Sequence, residues 1–266
     1  TATKLKEITN IPLVMTEHSS EMMKPQIDDN LKHKASKTYP HGDKIITVSP
    51  ALSDIIKSNF NIDNVYIPNI VDTNIFKYKL REKKDKFTFI TVGGLIYRKR
   101  MDLTVQAFAE TFNDNENLEL IVVGEGEERK KIEDIIRANK LEGKVKLTGR
   151  LTREKIAKLM LESDCFVLPS RAETFGVVYI EAMATGLPVI GSRCGGPEGF
   201  INESNGLMIE VDNLEELKSS MKYMYENIDK YDNEKIATET YRQFSPEGVA
   251  KLIVEQYEEV LRGRDK

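Results

Sequence analysis

Six short runs, FTFITVG, LELIVVG, VKLTG, DCFVLPS, PVIGS and LMIE, recur between residues 87 and 210, and each is strand-like and too short for a helix. Amphipathic patterns separate them. Met101, Val105, Phe108 and Phe112 are spaced by four, three and four, and Ile132, Ile135 and Ile136 form the stripe of the next helix. Largely apolar strands alternating with helices bury both faces only in a parallel sheet covered on each side. The chain is therefore predicted to be α/β, with a doubly wound unit over 87–245. Later helices carry start signals: Asn213 with Glu216 three residues on, and Ser245 followed by Pro246. A final helix over 246–266 repeats an apolar face at Val249, Leu252, Ile253, Tyr257 and Val260.

Residues 1–76 show the same grammar in shorter form: strand-like IPLVM and KIITVS, a helix from Pro50 to Phe60, then VYIP. The charged stretch YKLREKKDK has almost no apolar residues, and places a linker at 77–86. A formal net charge of −4 argues against a broad nucleic-acid surface. The polar start TATKLKEITN lacks the regions of a signal peptide, and no apolar run reaches the ~18 residues of a membrane span, so the cytoplasm is the expected location. Cys165 and Cys194 belong to no CxxC or His/Cys cluster and read as reduced thiols.

The stretch ETFGVVYIEA carries the chemistry. Glu173 precedes a helix and Glu181 falls about two turns into it, so the two carboxylates can meet different parts of one ligand. Gly176 removes a side chain at the helix start, where free N–H groups and the positive end of the dipole attract a phosphate. Phosphate at the helix end and hydroxyls on each acid describe a nucleotide sugar. A lone pair of acids would otherwise read as a cap and a solvated face residue.

The context supports the first reading. LPSRAETFGVVYIEAMATGLPVIGSRCGGPE, with HGDKIITVSPALSDIIKSNF, YIPNIVDTNIF, VGGLIYRKRMDLTVQAF and NGLMIEVDNLEEL, resembles the retaining glycosyltransferases of family four, including the E-x7-E spacing. The resemblance spans residues 11 to about 262. It implies a GT-B fold of two facing Rossmann-like domains, and because the segment matching IPLVMTEHSS begins at residue 11, the first domain is expected to be partial, without its opening strand and Gly-rich loop. The implied organisation is an acceptor-side domain at 1–76, a nucleotide-sugar-binding domain at 87–245, and a last helix crossing back to the first.

Carried over to this sequence, the resemblance assigns Glu173 to the donor sugar and to catalysis, and Glu181 to the ribose hydroxyls. The Thr174-Phe175-Gly176 backbone would meet the sugar and distal phosphate. Lys99, beside Gly94, would bind the diphosphate, where a fixed ammonium stabilises the charge gained by the leaving group. The family's usual Gly-Arg is here Gly93-Gly94, so Arg98 or Arg100 would supply the missing guanidinium. Gly149 and Arg150 would lie beside the nucleobase, and His18, in T-x-H after a strand, would face the sugar. His33 and His41 read as surface residues, and Gly195-Gly196 as a tight turn.

No D-x-D is present, so a divalent-metal clamp is not expected. VGGL and GEGEER fall short of a dinucleotide fingerprint, since Arg129 replaces its last glycine. The function implied is metal-independent transfer of a sugar from a nucleotide-diphosphate donor to a hydroxyl acceptor (a sugar, glycan or lipid-linked group), with no cofactor. The competing expectation is a nucleotide-sugar-binding module without transfer. The basic run Leu31–Lys37 could meet anionic lipid at the inner face of a membrane, although a solvated helix face is the preferred reading.

Overall fold

The computed structural model describes residues 2–24, 26–80 and 85–263. Two parallel sheets organise it. The smaller contains β1 (Val14–Glu17), β2 (Lys44–Thr47) and β3 (Val65–Tyr66), in the order β1-β2-β3. The larger contains β4 (Phe87–Val92), β5 (Leu118–Val123), β6 (Val145–Gly149), β7 (Cys165–Leu168), β8 (Val189–Ser192) and β9 (Gly206–Ile209), in the order β6-β5-β4-β7-β8-β9. Every described pairing is parallel. The α-helices among the described residues are α1 (Ala2–Thr9), α2 (Asp29–Thr38), α3 (Pro50–Phe60), α4 (Met101–Phe112), α5 (Arg129–Ala138), α6 (Arg153–Leu161), α7 (Val177–Ala184), α8 (Leu214–Glu226), α9 (Asn233–Phe244) and α10 (Pro246–Arg262).

The six runs of the sequence become the six strands of the larger sheet. Burial of whole strands explains why they show little alternation: β7 and β8 are buried at every residue, because helices cover both faces. Helix α4 (Met101–Phe112) turns Met101, Val105, Phe108 and Phe112 inward. Phe108 and Phe112 pack against Phe89 of β4, and Phe112 also meets Tyr225. Helix α8 (Leu214–Glu226) starts as its signal implies, with the Asn213 side chain accepting from the Glu216 N–H. The Glu216 carboxylate does not reach back to Asn213; it accepts from the Glu210 N–H instead.

Helix α10 (Pro246–Arg262) begins with the Ser245 hydroxyl accepting from the Gly248 N–H. It lies on the smaller sheet, where Val249 is buried with Ile46 of β2 and Ile67 beyond β3. Lys44 reaches Glu259 at 2.9 Å on the same face. The segment between the sheets is held to the body by Val71 N–H donating to the Phe244 carbonyl at 2.9 Å. Of the stretch read as a linker, residues 81–84 lie outside the described residues. The helix bearing the second acid, α7, spans Val177–Ala184, so Glu181 stands just over one turn in rather than two. The helix does start at Gly176, as expected, and the four steps from Val177 to Glu181 amount to little more than one turn at about 3.6 residues per turn.

Candidate functional site

Strand β4 sits at the centre of the larger sheet. The chain moves from β4 to β5 and β6 on one side and returns through β7 on the other. Open α/β sheets bind ligands at such a reversal, beyond the carboxyl ends of the strands, here β4 and β7. The loops leaving those two strands carry Lys99 and Glu173. After β4 the chain makes a single turn of 3-10 helix, Tyr97–Lys99, and Arg100 adopts φ +53° to enter α4.

The two loops meet on one carboxylate. Glu173 is only 5% exposed, and its Oε1 lies 2.5 Å from the Lys99 ammonium and accepts the Ser170 hydroxyl at 2.7 Å. Its Oε2 lies 3.7 Å from the guanidinium of Arg98, which itself donates to the Ala172 carbonyl at 2.6 Å. The Arg171 N–H donates to the Arg98 carbonyl at 2.8 Å and joins the loops further. Burying a carboxylate so deeply is tolerable only with a charge partner and hydrogen bonds, and these residues supply both. Lys99 is accordingly much less exposed than a surface-loop lysine.

The sequence left Arg98 and Arg100 as alternatives beside Lys99. Only Arg98 stands there. Arg100 points to Asp212 at 2.7 Å and to Asp102 at 3.0 Å, in a network that Lys131 and Arg171 extend. Neither does Glu173 cap α7, whose N-cap is Gly176 with no side-chain bond. The start of α7 thus has no side chain satisfying its free N–H groups.

The loop from Glu173 to Gly176 is fixed from behind. Phe175 is buried, with ring centroids 5.1 Å from Phe200 and 5.8 Å from Phe244, so its side chain belongs to the core and only its backbone is left for a ligand. A Cβ at Gly176 would lie 2.7 Å from the Tyr179 ring. A Cβ at Gly196 would lie within 2.5 Å of the Phe175 backbone nitrogen. The Gly195-Gly196 pair is therefore more than a turn. Gly196 N–H donates to the Glu173 carbonyl at 2.8 Å, and Gly195, at φ +111°, passes close to Met23 of the 3-10 turn Ser20–Met23 and to Ala51 of the helix Pro50–Phe60.

Glu181 holds a separate place. Its Oε1 pairs with Arg153 at 2.9 Å, and burial pushes its pKa upward while Arg153 opposes the rise. Gly149 takes φ +74° and accepts at its carbonyl from the Gly124 N–H at 3.0 Å. Arg150 beyond it is exposed and makes no hydrogen bond or ion pair among the described residues. Gly94 is also exposed, and an added Cβ would meet nothing closer than 3.7 Å, so the space above it is open. His18 is exposed immediately after β1 and has no hydrogen-bond partner among the described residues. Neither cysteine is in a disulfide, and burial pushes the Cys194 thiol up to about 12, which keeps it unreactive near neutral pH.

The structure thus brings Lys99, Arg98, Glu173 and the Gly176 helix start together. Glu181 stands apart on α7, paired with Arg153, and His18 makes no hydrogen bond or ion pair to any of them among the described residues. Sequence reasoning missed Ser170, Arg153 and Gly196. Ser170 precedes Glu173 by three residues and was within reach, whereas nothing in the sequence links Arg153 to Glu181.

The chain is similar to known proteins along most of its length. The family described as Glycosyl transferases group 1 matches residues 72–242. An uncharacterized glycosyltransferase of Methanocaldococcus jannaschii is 32% identical over 226 residues, which are 84% of this chain and 61% of that protein. The N-acetyl-alpha-D-glucosaminyl L-malate synthase of Bacillus anthracis is 27% identical, over 95% of this chain and 69% of its own. Among solved structures, sucrose-phosphate synthase from Thermosynechococcus elongatus superposes with a TM-score of 0.86 at 22% identity, covering 98% of this chain and 71% of that one. Anabaena HepE in complex with UDP superposes with a TM-score of 0.84 at 20% identity, covering 97% and 75%. The shared fold is the GT-B type expected from the sequence.

Proposed function

The chain belongs to the glycosyl transferases group 1 family, and from that premise we propose that it binds a nucleotide-diphosphate sugar beyond the carboxyl ends of β4 and β7 and transfers the sugar, with retention, to a hydroxyl acceptor. The observation that carries this reading is the Lys99–Glu173 pair beside the uncapped start of α7, at the switch point of the sheet. Lys99 and Arg98 face the diphosphate, whose negative charge grows as the glycosidic bond breaks. The N–H groups at Gly176 take an anionic oxygen without any side chain. Glu173 accepts from a sugar hydroxyl, and Glu181 from ribose. The open space at Gly94 admits the donor, Gly149 and Arg150 border the base, and His18 addresses the sugar from the acceptor side.

Glu173→Gln and Glu181→Gln are expected to separate by ligand. Calorimetric titration of the Glu181 variant should show weakened binding of nucleotide with or without sugar. The Glu173 variant should lose affinity only for the sugar-bearing donor. UDP and UDP-glucose are natural first probes, because HepE was solved with each. Equal losses for both ligands in both variants would defeat this division of roles. The other reading, a binding module without turnover, is distinguished by measuring sugar transfer on the same preparation.

Donor binding without a divalent cation is part of the proposal. Among the described residues no group of three His, Cys, Asp or Glu could hold a metal ion. Adding EDTA to the titration should leave the nucleotide affinity unchanged, and a strict magnesium requirement would contradict the proposed cationic clamp. Among the described residues no helix is long and apolar enough to cross a membrane. The basic residues of Leu31–Lys37 lie on an exposed helix face, where contact with anionic lipid is a further proposal testable by vesicle sedimentation.

A further inference from the structure

Arg153 occupies an unfavourable position. It is the first residue of helix α6 (Arg153–Leu161), where the positive end of the dipole repels a cation. Three contacts offset this. One guanidinium nitrogen lies 2.9 Å from Glu181 Oε1, the other 3.6 Å from Asp72 Oδ2, and the group stands 5.3 Å over the ring of the buried Phe76. Asp72 and Phe76 belong to the segment between the two sheets, in a turn closed by the Phe76 N–H donating to the Asp72 carbonyl at 2.8 Å.

An exposed ion pair contributes about 0–1 kcal/mol and needs no function. This pair differs, because the Glu181 side chain is only 14% exposed and the guanidinium is held from two other directions. Arg153 takes one oxygen of Glu181, and Oε2 has no partner among the described residues. A carboxylate fixed through one oxygen can present the other to a hydroxyl in a single orientation, which spares the cost of ordering it on binding.

We propose that Arg153 is a positioning residue for nucleotide binding: braced by Asp72 and Phe76, it holds Glu181 by Oε1 so that Oε2 receives a ribose hydroxyl. The proposal rests on Glu181 being the ribose carboxylate. It also makes Arg153 the group that keeps this carboxylate charged. Burial raises the pKa of Glu181, Asp72 adds to that rise, and Arg153 is the cation that opposes both. Without Arg153 the carboxyl gains a proton more readily as pH falls, and its acceptor strength declines.

The test is calorimetric titration of the full chain with UDP, GDP and ADP, carrying forward the tightest ligand. Arg153→Ala should bind about tenfold more weakly at pH 7.5, and its affinity should fall more steeply than wild type between pH 7.5 and 5.5. Both proteins share the titration of the nucleotide phosphate, so the difference in slope reports Glu181. Arg153→Lys keeps the charge but not the planar fork, so it should restore the wild-type slope and only part of the affinity. Combined with Glu181→Gln, Arg153→Ala should add no further loss, since it acts through that carboxylate. Wild-type affinity and slope in Arg153→Ala would overturn the proposal. So would a uniform loss at every pH, or additive losses in the double variant, since either would mean direct contact with the ligand. Failure of the unmodified protein to bind any of the three nucleotides would instead overturn the functional reading, and this proposal with it.

Discussion

Lys99→Ala is expected to weaken nucleotide diphosphate binding by a factor of about ten to a hundred, the equivalent of one charge-assisted hydrogen bond, and to destabilise the fold. The second effect follows from Glu173, which would keep its burial and its Ser170 bond but lose the ammonium at Oε1. Breaking a buried pair by removing one partner costs about 3–5 kcal/mol, and Arg98 at 3.7 Å places this case near the lower limit. Adding Glu173→Gln should then recover most of the stability, because the orphaned charge is gone, while the affinity for nucleotide alone stays low. Urea unfolding and calorimetric titration of the single and double variants measure the two effects separately. If the double variant regained binding together with stability, Lys99 would be a structural partner of Glu173 and not a phosphate ligand.

Phe175→Ala should be the more damaging change to the fold. The ring fills space between Phe200 and Phe244, and removing it leaves a cavity for an expected loss of about 3–5 kcal/mol. The effect extends to the site, since the loop carrying Glu173 and the start of α7 rests on that ring and on the Gly196 backbone. Phe175→Leu, which keeps much of the volume, should lose less stability and retain more affinity. Urea midpoints together with titration of the nucleotide sugar check this. Full stability in Phe175→Ala would show that the cluster can collapse around the gap and that the loop is held by its hydrogen bonds alone.

Much of the architecture was legible because it depends on patterns repeated along the chain. Strands buried on both faces must be apolar throughout, and α4 must show its inward stripe, so the larger sheet and its helices could be read directly. Local capping was legible for the same reason: Asn213 and Ser245 act within three residues of themselves. The start of α7 at Gly176 was legible as well, since a glycine before an apolar run marks it locally, whereas the number of turns to Glu181 was overestimated. The Gly195-Gly196 pair was read only as a turn, because its tight approach to Phe175 comes from a different strand's loop.

The candidate site divides along the same line. The E-x7-E spacing, the glycine at the helix start and a lysine after the first strand of the larger sheet are local features, and together with the motifs around them they carry the resemblance to the family. What the tertiary structure decided is which charges meet. Lys99 and Glu173 are 74 residues apart and are joined only because β4 and β7 are neighbours at the switch point. Arg98 rather than Arg100 stands beside them, because the left-handed turn at Arg100 directs its side chain to Asp212 and Asp102. Arg153 reaches Glu181 across 28 residues, and Asp72 from the segment between the sheets. Residue types and short-range order follow from local sterics and periodicity, which the sequence contains; pairing of buried charges follows from which loops the sheet order places side by side, and that order exists only once the chain has folded.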